Sequence, residues 1–152
     1  MSGGLLHLHN LLRWVVIIFA LLTVIRSLGG LNGRKPFTAG DRKVAMFYMI
    51  SFDVQLLIGL ALYFMNGWFN VLTSGGVMKI PVQRFFAVEH LAGMLIALVL
   101  VHIGYAAIKK PISDAAKFRK LFWYSLISFI IVLAMIPWPF REAVSRSWFP
   151  GM

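Results

Sequence analysis

The sequence predicts an all-α fold, a four-helix transmembrane bundle running up and down, and three observations predict it. Of the 152 residues 60% are hydrophobic and only 13% charged, and the mean hydropathy of +0.82 is too high for a domain with a solvated surface. The apolar residues gather into four stretches, each near the ~20 residues that a helix needs to cross a hydrocarbon core about 30 Å thick. The basic residues gather beside those stretches, which is the membrane pattern. Backbone groups in lipid must bond within their own segment, so the spans are helices rather than strands.

The first span runs from Leu5 to Leu28 and is stopped by Gly29 and Gly30. It lacks a basic region ahead of its apolar run, is too long for a signal peptide and ends in Arg26, so it reads as a retained span. The second runs from Val44 to Asn66 and the third from Phe85 to Ile108. The fourth, from Leu121 to Pro137, is the shortest; Pro137-Trp138-Pro139 stops it at an interface, where Trp is favoured. No linker divides the chain, so residues 1–152 read as a single transmembrane domain. The absence of cysteine excludes a disulfide framework, a thiolate metal site and a covalently attached c-type haem.

The net charge of +10 raises nucleic acid as a partner, but its location excludes that reading. Ten basic residues flank the first and third connections: Arg26, Arg34, Lys35, Arg42, Lys43, Lys109, Lys110, Lys117, Arg119 and Lys120. Five lie on the other side: Arg13, Lys79, Arg84, Arg141 and Arg146. The excess marks the cytoplasmic face and its anionic lipid. A multi-pass membrane protein follows, with both termini outside the cytoplasm and the lipid bilayer as its first partner.

All four histidines fall on the first and third spans. His9 lies about one turn into the first span, and His90 about 5 residues into the third; at 1.5 Å per residue both sit ~10 Å outward of the midplane. One imidazole from each of two facing helices at matched depth is how a bis-histidine haem b is held. Arg13 follows His9 on the same helical face and is placed to pair with a haem propionate. Gly93, one turn beyond His90, with Ala97 and Gly104, offers either a surface for a flat macrocycle or a close helix contact. The competing reading is an ordinary interfacial histidine bonded to backbone or water. His7 points away from His9 and is assigned no ligand role. His102 is ~18 Å along the helix from His90 and has no histidine partner at its depth, so one haem per chain is expected.

Two carboxylates are candidates for catalysis or proton transfer. Asp53 falls mid-span, where an ionisable group costs ~2.5–3.5 kcal/mol on insertion scales and faces the bundle interior or water; His102 is its expected partner. Glu89 points about 100° away from His90 and is expected either to form an interfacial salt bridge, with Arg84 or Arg13, or to take a proton from a quinol. The five Trp are expected near span ends, as an aromatic belt.

The stretches Leu8-His9-Asn10-Leu11-Leu12-Arg13-Trp14, Phe85-Phe86-Ala87-Val88-Glu89-His90 and Ile136-Pro137-Trp138-Pro139-Phe140 together resemble a family of small four-helix bacterial membrane proteins labelled cytochrome b. The resemblance covers essentially the whole chain. It implies that His9 and His90 occupy histidine positions of the family, whereas relatives often carry a histidine where Asp53 stands. More distantly the layout is similar to cytochrome b561-type quinol or superoxide oxidoreductases, which hold two haems.

The expected function is therefore a haem b electron-transfer protein that exchanges electrons with quinone or a partner near the outer face. The alternatives are a non-catalytic subunit or assembly factor of a larger membrane complex, and a proton-coupled or metal transporter. A homodimer and a respiratory complex are the assemblies considered.

Overall fold

The computed structural model describes residues 2–149. Among them, four long helices are apolar enough to cross a membrane: α1 Ser2–Leu28, α2 Ala39–Met65, α4 Pro81–Ile108 and α5 Asp114–Met135, with a short α3, Trp68–Thr73, between α2 and α4. No strand occurs among the described residues. The helices alternate in direction and close into a bundle in which α1 packs on α2 and α5, and α4 on α5 and α2. Val16, Ala20, Tyr48, Phe52, Ala97, Val101, Val132 and Ile136 form the core. Leu57, Ile96, Val99 and Ile130 point outward, where an apolar solvent accepts them.

The observed starts lie ahead of those read from hydropathy, because helix caps are polar. Thr38 and Asp41 form a capping box that begins α2 at Ala39 rather than Val44: the Thr38 N–H donates to Asp41 (2.9 Å), and Thr38 Oγ1 accepts the Asp41 N–H (3.4 Å). Arg26 Nε donates to the same carboxylate at 2.9 Å, tying the ends of α1 and α2. Pro81 starts α4, since a residue without an N–H suits the first turn. Ser113 Oγ accepts the Ala116 N–H and starts α5. At its other end α5 stops at Met135, because Pro137 forces Ile136 out of the helical region, to ψ 131°.

Two irregular features shape the end of the bundle that holds both termini. Residues Phe85–Glu89 form a π turn inside α4, so the His90 N–H reaches back to Phe85 O; such turns re-aim the side chains that follow. After Met135 the chain folds back over α1. There the Arg13 guanidinium donates to the carbonyls of Ser147 (3.2 Å) and Trp148 (2.7 Å), and Trp14 Nε1 donates to Trp148 O (3.0 Å). Trp14 therefore lies under the terminal segment, stacked on Trp148 and Phe149.

A candidate cofactor site between four helices

A concavity opens in this half of the bundle. It has a volume of about 300 Å³ and takes its walls from all four long helices, at the low end of the ~300–1,000 Å³ usual for small-molecule sites. Most of the lining is apolar, including Phe52, Leu56, Met94 and Val132. The polar groups are few: His9, Asn10 and Arg13 from α1, Gln55 and Tyr63 from α2, Asn66 just after α2, His90 from α4 and Arg146 from the terminal segment. Two arginines and no carboxylate line it, so the lining favours a ligand with negative charge.

His9 and His90 lie here together. Their ring centroids are 6.4 Å apart, with the planes at 71°. The π turn delivers His90, and the His90 ring is fixed by a 2.7 Å hydrogen bond between Nδ1 and Met135 O, the last residue of α5. A carbonyl can only accept, so Nδ1 carries the proton and Nε2 keeps its lone pair. The His9 ring rests against Gly59 of α2: a Cβ there would stand 3.1 Å from His9 Cε1. Gln55, one turn earlier on the same helix, donates Nε2–H to the backbone carbonyl of His9 at 2.8 Å.

Three buried polar atoms around the cavity lack a hydrogen-bond partner among the described residues: His9 Nδ1, Arg13 Nε and Gln55 Oε1. An unsatisfied buried group costs ~1–3 kcal/mol. All three belong to residues that line this one cavity.

The remaining sequence candidates sort differently. Gly93 turns away from the cavity: a Cβ on it would lie 2.5 Å from Met135 Cγ, so its small size serves the contact of α4 with α5. Gly104 does the same against Tyr124. Gly59, not Gly93, is the glycine that lines the cavity. Glu89 forms a 2.7 Å salt bridge with Arg84 and does not line the cavity. Asp53 does pair with His102 (2.7 Å), but on the outer surface of α2 and α4 rather than toward the interior. His7 is exposed and apart from the cavity.

Gln55, Gly59 and Arg146 were not foreseen. The first two are spaced i, i+4 on α2, a pattern visible in the sequence once that face is known to meet His9. For Arg146 no local pattern signals that the terminal segment returns to the bundle.

No protein-family model, curated protein or solved structure matches this chain at a significant level.

Proposed function

We propose that this chain is a membrane haem b protein, with one haem held between His9 and His90, that exchanges electrons with quinol, quinone or a protein partner near the outer face. The observation that carries the reading is the His9–His90 pair facing one cavity at 6.4 Å. That separation leaves space for an ion between the rings, so His9 and His90 would be the residues that hold the iron. The donor set fits as well: two neutral imidazoles suit an iron whose other ligands would come from a macrocycle.

When bound, haem b supplies one-electron chemistry at its iron. The chain's own residues do the rest. Met135 O holds the His90 ring by its proton-bearing nitrogen, fixing the tautomer and the direction of the free lone pair. Gly59 gives His9 room to turn, and Gln55 fixes the backbone that carries it. Arg13 and Arg146 supply the positive charge for two propionates, and the guanidinium of Arg13 is itself aimed by the terminal segment. The apolar remainder excludes water and tunes the potential through burial.

The cavity lies in the half of the bundle that holds both termini, and the basic split assigns that half to the outer side. A single centre there cannot by itself carry electrons across a core about 30 Å thick. The chemistry is therefore one-sided.

The test is the visible spectrum of the purified full-length chain from a haem-sufficient host, oxidised and dithionite-reduced. The expected result is a red protein with about one haem per chain and a low-spin, six-coordinate spectrum. Colourless protein would sink the proposal.

A further inference from the structure

The second polar constellation of the bundle lies away from the cavity. His102 Nε2 and Asp53 Oδ1 are 2.7 Å apart and bridge α4 to α2. The two side chains are 44% and 39% exposed. Both belong to the apolar spans Pro81–Ile108 and Ala39–Met65, so the exposure is toward hydrocarbon. Leu57, one turn beyond Asp53, and Val99, about one turn before His102, flank the pair and are 66% and 53% exposed. A polar pair bared to lipid is expensive, and such groups normally meet a partner or a water-filled cavity.

The chemistry of the pair says which partner. Hydrocarbon selects the net-neutral forms, which are imidazolium with carboxylate or neutral imidazole with carboxylic acid. In both, the proton in the hydrogen bond lies between Nε2 and Oδ1, and Nδ1 carries its own hydrogen. His102 Nδ1 thus presents a donor and Asp53 Oδ2 an acceptor, and neither atom has a partner among the described residues. One unused donor beside one unused acceptor is its own complement under a two-fold axis, the commonest symmetry of homo-oligomers. Acyl chains offer neither group.

We infer that this face of α2 and α4 docks a second copy of the chain. Each His102 Nδ1–H donates to Oδ2 of Asp53 of the partner subunit, with Leu57 and Val99 packed around the hydrogen-bonded centre. The inference is independent of the cavity and of any cofactor.

The experiment uses the full-length chain expressed alone and reconstituted in phospholipid vesicles, with subunits counted by single-molecule photobleaching across a range of protein-to-lipid ratios. The chain contains no cysteine, so single cysteines report cleanly in the same vesicles. Wild-type protein is expected to bleach in two steps and Val99→Cys to cross-link, while Ile25→Cys, on the outer side of α1, does not. Asp53→Leu should weaken dimerisation by about tenfold or more, the effect of losing two interhelical hydrogen bonds in a membrane. The exchange Asp53→His with His102→Asp should restore it. One-step bleaching of wild-type protein would overturn the inference, as would cross-linking at Ile25→Cys with Val99→Cys silent. An Asp53→Leu variant that dimerises like wild type would overturn the role of the pair.

Discussion

His9 and His90 are distinguished from the other two histidines by what restrains their rings. A 2.7 Å bond to Met135 O sets one ring, and contact with Gly59 and the Gln55-held backbone set the other. His9→Ala or His90→Ala should therefore abolish the six-coordinate spectrum, because one imidazole leaves a position on iron open. His102→Ala and His7→Ala should leave it nearly intact; loss of the spectrum in His102→Ala with His9→Ala silent would assign the wrong pair. The two glycines make a finer test. Gly59→Val puts bulk against His9 Cε1 and should lower haem content while the bundle stays folded, as judged by helical circular dichroism. Gly93→Val instead drives into Met135 and should cost about 1–3 kcal/mol through overpacking, seen as a lower melting temperature. Equal haem loss and equal destabilisation in both would remove the distinction between cradle and packing seam. At this scale the sequence brought His9 and His90 together, since their depth and helical face follow from counting residues. It misassigned the glycine, because the side of α4 that meets α5 depends on how the helices are paired.

The helices were legible as hydrophobic spans, and their ends were not. Hydropathy finds where a segment enters hydrocarbon, whereas the helix begins where a cap satisfies its first N–H groups, as Thr38 with Asp41 and Ser113 do. The π turn at Phe85–Glu89 leaves no composition signal, yet it is what aims His90. The least legible element is the segment after Met135. Pro137 and Pro139 announce the end of α5, but only the folded chain brings Ser147 and Trp148 onto Arg13 and Trp14. Arg13 is 6% exposed and anchors that segment through two carbonyls, so Arg13→Leu should release it. Two charge-assisted bonds are lost, worth roughly 1.5–3 kcal/mol each before relaxation. The expected outcome is faster proteolysis within residues 140–149 together with poorer haem retention. Trp148→Ala keeps the carbonyl and should do less to haem retention. If Arg13→Leu leaves protease sensitivity unchanged, the hydrogen bonds do not hold the segment down.

For the whole molecule, the alternation of apolar spans and basic connections specified an up-and-down bundle. It could not specify that Asp53 and His102 meet on the outer surface, because helix rotation depends on close packing at Ala20, Phe52 and Ala97. The side on which the cavity opens rests on charge alone. Ten basic residues border the α1–α2 and α4–α5 connections against five at the other end, and such an excess holds its loops in the cytoplasm. Ser113 and Ser74 are exposed at opposite ends of the bundle. Ser113→Cys forfeits a helix cap worth about 1 kcal/mol, which a packed bundle tolerates, and Ser74→Cys touches only local turn bonds. In intact cells a membrane-impermeant maleimide should label Ser74→Cys and spare Ser113→Cys until the membrane is permeabilised. The reverse pattern would invert the bundle. The His9–His90 cavity, with Arg13 and Arg146 beside it, would then face the cytoplasm, and any partner of the proposed haem would have to be sought there.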